Sequence, residues 1–217
     1  MSEGKRTKAS SYAKKLIREE PLDGLTGCYV VDEIIYTGKS QYQEVDIAEL
    51  VPFGRSLIID EMMQSSEKDE FSYHESLVHP ALTIHPNPRH VMVAGGGEGA
   101  TVREILRHKS VEKVTMVDID TLVIEASKSH LPNHHRGCFD NPRLELVIED
   151  ARAWLERYEG KFDVIIMDLA DPVEEGPAFG LYTVEFFAMG LSSSLLLPFR
   201  DQRSSNQILF LPLSLDR

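Results

Sequence analysis

The stretch Val91-Met92-Val93-Ala94-Gly95-Gly96-Gly97-Glu98-Gly99-Ala100 runs an apolar segment straight into four glycines and one carboxylate. The apolar part reads as a buried strand, and the glycines as a turn of the kind that receives a nucleotide. Glu98 stands in the middle of that turn, where it would repel a phosphate. The glycines also crowd together instead of following the full G-x-G-x-x-G register, because position 100 is alanine. Together with Asp118 at the end of the next strand, the expected partner of ribose hydroxyls, the turn points to a nucleoside rather than a dinucleotide, with a cationic end facing Glu98.

Outward from this turn the pattern alternates. "HVMVA", "KVTMVDID", "RLELVIED" and "KFDVIIMDLAD" read as strands, and "EGATVREILRHK", "TLVIEASKSHL" and "ARAWLERYEG" as the helices between them. Strands this continuously apolar are buried on both faces. The fold class is thus α/β, a Rossmann-like, methyltransferase-like doubly wound parallel sheet. Ahead of it, Val30, Val31, Ile34, Ile35, Val45, Ile47 and Leu57-Ile58-Ile59 form three short apolar runs. These predict a small N-terminal antiparallel sheet. "DEFSYHESLVHPALTIHP" predicts a helix closed by Pro86. The implied organisation is a polar, basic tail over 1–20, a β-strand domain over 21–70, the Rossmann-like domain over 71–187 and a divergent tail over 188–217.

Ligands of such sheets sit beyond the carboxyl ends of the strands. Four strand ends carry acids: Glu98, then Asp118, then Asp150, then Asp168 with Asp171. Singly, each suits a helix cap. Together they describe one acidic crevice, with Asp118 in the place that holds ribose hydroxyls. The formal net charge of −12 argues against nucleic acid and anionic membrane surfaces, and fits a cationic partner. No apolar run approaches the roughly 20 residues of a membrane helix. Cys28 and Cys138 are far apart and in no metal-ligand spacing, which predicts neither a disulfide nor a zinc site and suits a reducing, cytoplasmic setting.

The segments "GGGEG", "VDID" and "DLADP", with "YQEV", "FGRSLIID", "QSSEKDEFSYHE" and "HPAL" upstream, resemble the polyamine aminopropyltransferases, the spermidine synthase family. "HPALTIHPNPRHVMVAGGGEGATVREILRH" and "DLADPVEEGPAFGLYT" are most similar to the plant thermospermine synthases. The resemblance runs from about Gly27 to Phe187. It implies transfer of an aminopropyl group from decarboxylated S-adenosylmethionine, a co-substrate, to a polyamine, with release of methylthioadenosine and no metal. Spermidine giving thermospermine is the implied reaction; putrescine as acceptor is the alternative.

Carried onto this chain, the resemblance implies that Gln43 contacts decarboxylated S-adenosylmethionine and Asp118 holds its ribose. Asp150 and Ala151 read the adenine, Pro177 packs near it, and Glu98 faces the aminopropyl amine. Asp168 is the base at the reacting amine. Gln64, Tyr73, His74 and Asp171, with Glu98 and Asp168, line the polyamine channel. The loop "ADPVEEGPAFGLY" is the expected lid, with Glu174 and Glu175 suited to a longer cationic chain. The full-length form is expected to be a homo-oligomer.

Two places depart from the family pattern. Asp60-Glu61 stands where a tight turn usually has Asp-Gly, predicting a strained or rebuilt turn. After Phe187 the strand–helix rhythm stops, so the sheet is expected to be incomplete at its C-terminal side, with its last strand an apolar edge. An inactive shortened isoform that binds full-length subunits is the other expectation this raises. A methyltransferase would have to hold a methionine carboxylate beside Glu98, which its charge opposes.

Overall fold

The computed structural model describes residues 15–22, 25–170 and 179–186. Its first sheet is an antiparallel meander of β1 (Lys15–Leu22), β2 (Leu25–Lys39), β3 (Glu44–Val51), β4 (Gly54–Ile59) and β5 (Met62–Ser66), paired in chain order. The three expected apolar runs are thus part of five strands. β1 also corrects the reading of 1–20 as tail, since Lys15 to Glu19 pair in register with Val31 to Gly27. Ile17 packs against the cluster of Val31, Ala48, Leu50 and Ile58. Leu16, Ile17 and Leu22 show no period of two among the charges, too faint a pattern to read alone; the long partner strand β2 supplies the rest.

Ile59 pairs with Met62, leaving Asp60 and Glu61 as a two-residue hairpin turn. Their φ values are 49° and 65°, the double left-handed geometry of the type I′ turn. Asp60 is braced there, because its carboxylate accepts from the Glu44 N–H at 2.8 Å. Glu61 has no such support, and a side chain in this conformation costs about 1 kcal/mol. Glu61→Gly should therefore raise the thermal unfolding midpoint by about 2–4 °C, and Glu61→Ala should not. An unchanged midpoint for the glycine variant would mean that the turn carries no strain.

The second unit follows as α1 (Glu70–Ile84), β6 (His90–Gly95), α2 (Ala100–Leu106), β7 (Lys113–Asp118), α3 (Thr121–His130), α4 (Pro132–His135), β8 (Leu144–Ile148), α5 (Ala151–Glu156) and β9 (Val164–Asp168). All four strands are parallel, in the order β8-β7-β6-β9. Period-two alternation divides the core. Val91 and Val93 of β6 pack with Leu77, Val78, Val102 and Ile105 on one face. Met92 and Ala94 pack with Trp154, Leu155 and Phe162 on the other. Among the described residues β9 ends the order, paired only with β6.

Strand order reverses at β6, with β7 on one side and β9 on the other. A crevice opens at such a switch point, beyond the strand ends. The meander covers it: Val45, Ile47 and Leu57 pack on Val123, Ala126 and Leu131 of the α3 region. Arg55 donates to the His130 carbonyl at 2.9 Å, and Asn133 to Glu67 at 2.9 Å. The cleft thus has a floor of strand ends and a wall of antiparallel sheet.

Candidate active site

The glycine turn is built by close approach. Gly95, Gly96 and Gly99 have φ near 80°. A Cβ on Gly95 would lie 2.1 Å from the Asp168 carbonyl oxygen, and one on Gly97 2.9 Å from Asp118 Oδ2. Gly96 N–H donates to the same Asp168 carbonyl at 2.9 Å, fastening the turn to β9. The absent side chains are what let two acids come within reach of the turn.

The strand-end acids then separate by role. Asp150 caps α5, accepting from the Ala153 N–H at 2.7 Å. Asp118 accepts from the Asp120 N–H at 2.9 Å. Among the described residues Glu98 and Asp168 cap no helix. Asp168 Oδ1 accepts from the Tyr73 hydroxyl at 3.1 Å and Oδ2 from the Thr101 hydroxyl at 2.6 Å. Glu98 is buried, and its Oε2 accepts from Ser65 at 3.0 Å. Its Oε1 lies 2.8 Å from His74 Nε2, in ion-pair range, yet receives no well-aligned hydrogen bond. A buried carboxylate oxygen left this way favours a further donor.

Charge in the cleft follows burial and pairing. Burial pushes the Asp168 carboxyl up, against the opposing pull of the His74 charge. Burial likewise moves Asp118 from an ordinary 3.8 up to about 6. Burial opposes the charge on Glu98, but His74 and Ser65 hold its carboxyl below the usual range. His74 is itself opposed by burial, but the hydrogen bond to Glu70 and the Glu98 carboxylate against its other nitrogen carry it to about 10, so it stands as an imidazolium. The Asp168 charge raises the Tyr73 phenol, which stays protonated and able to donate.

Nine of the sequence-predicted residues line this one cleft: Gln43, Gln64, Tyr73, His74, Glu98, Asp118, Asp150, Ala151 and Asp168. Asp171, Pro177 and most of the expected lid, residues 171–178, lie outside the described residues. Gln43 does not point its amide freely inward; it donates to Asp120 Oδ2 at 2.9 Å, as does Ser40 at 2.7 Å. Both ring nitrogens of His74 face carboxylates. Sequence reasoning missed Asp120, Thr101, Ser65, Glu70 and Arg103. Asp120 alone had a local signal, its position ahead of a helix in "VDID". Away from the cleft, Glu75, His79 and Glu104 bring potential metal ligands within 4.8 Å of one another. Arg107 lies against both carboxylates and supplies the cation there.

The family models agree with this architecture. Residues 70–194 match the spermine/spermidine synthase domain, and residues 16–67 the spermidine synthase tetramerisation domain. The chain belongs to the spermine/spermidine synthase family. It is 49% identical over 180 residues to polyamine aminopropyltransferase 1 of Hyperthermus butylicus, covering 82% of this chain and 61% of that one. It is 48% identical over 165 residues to thermospermine synthase ACAULIS5 of Arabidopsis thaliana, covering 76% and 48%. The chain thus spans between about half and three-fifths of these relatives' lengths. A spermidine synthase solved in complex with the transition-state analogue AdoDATO superposes with a TM-score of 0.76 at 36% identity, over 84% of this chain and 64% of that one. Among the described residues no helix is long and apolar enough to cross a membrane.

Proposed function

We propose that the protein is a polyamine aminopropyltransferase, moving the aminopropyl group of decarboxylated S-adenosylmethionine to spermidine to give thermospermine. The observation that carries this reading is the charge of the cleft. Glu98, Asp118, Asp150 and Asp168 line it, and no lysine or arginine does among the described residues. Such a lining favours two cations and disfavours a nucleotide phosphate.

In this reading Asp118 holds the ribose hydroxyls, and Asp150 with the Ala151 backbone reads the adenine. Pro177 packs near the base, and Gln43, held by Asp120, contacts the co-substrate. Glu98 takes the amine of the aminopropyl tail. Gln64, Tyr73 and Asp171 line the polyamine path. His74 enters through Glu98 instead of touching a polyamine nitrogen, because two cations would otherwise meet.

The acceptor amine is protonated near neutral pH and has no lone pair to attack with. Asp168, raised by burial, accepts its proton. The nitrogen lone pair then forms the new C–N bond at the carbon beside the sulfonium. The C–S bond breaks, and its electrons leave on sulfur as neutral methylthioadenosine. The sulfonium already activates the carbon, so positioning supplies much of the rate. Residues 16–67 are proposed to join protomers, in keeping with the family domain they match.

The test is an assay of residues 1–217 with decarboxylated S-adenosylmethionine and either spermidine or putrescine, with the products separated by chromatography. Methylthioadenosine plus a tetraamine is expected from the spermidine arm. A triamine from the putrescine arm alone would change the acceptor. Failure to bind decarboxylated S-adenosylmethionine would remove the proposal.

A further inference from the structure

Behind the cleft lies a buried row of alternating charges. The Arg103 guanidinium on α2 grips Glu70 with two bonds, Nη1 to Oε1 at 2.9 Å and Nη2 to Oε2 at 2.8 Å. Glu70 Oε2 in turn lies 2.9 Å from His74 Nδ1, and His74 Nε2 lies 2.8 Å from Glu98. The side chains of all four residues are at most 10% exposed. Neither Glu70 nor Arg103 lines the cleft. We propose that Arg103 and Glu70 are positioning residues, which hold the proton on His74 Nε2 so that the imidazolium fixes Glu98 where the cationic tail of the co-substrate arrives. This rests on the reading of the cleft given above.

The geometry says which proton is at stake. Nδ1 lies 2.7 Å from the Glu70 backbone carbonyl, a partner that survives any side-chain change. Nδ1–H is therefore the proton a neutral ring keeps, and deprotonation strips Nε2. A bare Nε2 lone pair 2.8 Å from a carboxylate repels it, so Glu98 must move or take a proton. The Glu70 charge, itself anchored by Arg103, is what prevents this. The other groups facing the ring do not replace it. Tyr73 meets the ring edge-on at 5.0 Å between centroids. Asp168, at the end of β9, acts on it only through space. His134 from α4 is buried, and burial holds it low and uncharged.

Two measurements on wild type and Glu70→Gln test the proposal. The first follows the His74 imidazole by nitrogen-15 NMR as pH rises. The second measures the affinity for decarboxylated S-adenosylmethionine by calorimetry at pH 7 and pH 9, with methylthioadenosine, which lacks the amine, as control. In the variant His74 should lose its proton about two pH units earlier. The variant's affinity relative to wild type should worsen about tenfold between pH 7 and pH 9, following the fraction of ring deprotonated. Methylthioadenosine should show no such pH-dependent loss. An unchanged His74 titration, or an affinity deficit equal at both pH values, would overturn the proposal. If Glu70→Gln does not fold, Arg103→Lys keeps the charge but loses the fork, and should give a smaller shift of the same sign; no shift would count against it. Should wild type itself not bind decarboxylated S-adenosylmethionine, the reading of the cleft fails, and the His74 titration alone still decides whether the clamp holds the proton.

Discussion

Replacing Asp168 with asparagine should lower turnover by about 10²–10⁴-fold, the usual worth of a positioned general base. Asparagine keeps the shape of the side chain and one acceptor oxygen, but it cannot take the amine proton. Its carbonyl oxygen can still meet one of the two hydroxyls that Asp168 now accepts from, Tyr73 and Thr101. The backbone carbonyl that fastens the glycine turn is untouched. Methylthioadenosine affinity should therefore stay close to wild type while turnover collapses. Single-turnover kinetics beside calorimetry would show the split. Turnover within tenfold of wild type would remove Asp168 from the role of base.

Asp118→Asn should show opposite effects on binding and on stability. The proposed ribose contact is a charged acceptor, and losing charge-assisted hydrogen bonds of about 1.5–3 kcal/mol weakens nucleoside affinity by roughly 10–100-fold. Stability should move the other way. Asp118 has its pKa raised from 3.8 to about 6 in the fold. The folded state thus holds the proton more tightly than the unfolded chain does. Its contribution to stability is full below 3.8 and is lost as pH rises through 6. At pH 8 the charged carboxylate destabilises the fold by up to about 3 kcal/mol. The figure falls where the cleft admits water, and asparagine also gives up acceptor strength toward the Asp120 N–H. The variant should therefore unfold at a higher temperature than wild type at pH 8 and show no gain at pH 4. A lower midpoint at pH 8 would show that Asp118 is a structural acceptor more than a strained one. A gain in stability bought by weaker binding is the expected mark of a functional acid.

The acids of the cleft do not share one fate, and their hydrogen bonds explain why. Asp150 has a helix cap to satisfy, and Asp120 serves both a cap and the amide of Gln43. Glu98 and Asp168 are left with hydroxyls and one imidazolium. Those partners come from β5, α1 and α2, and their hydroxyls lie 33 to 95 residues along the chain from the acids they meet.

By itself the sequence determined the parallel unit and the location of its cleft. Strands buried on both faces must be apolar throughout, and a carboxylate among glycines opposes a phosphate whatever the surrounding fold. Those are local properties of the chain. The tertiary structure alone decided the remainder. β1 is a strand because β2 is long enough to pair with it, and the glycines of the turn are required because β9 and Asp118 press against them. Glu70 and His74 sit on α1, well ahead of Glu98 and Arg103 in the chain, and nothing in residue type or spacing marks all four as one row. Only packing α1 and α2 behind the cleft brings their charges to hydrogen-bonding distance, where burial removes the water that would otherwise screen them.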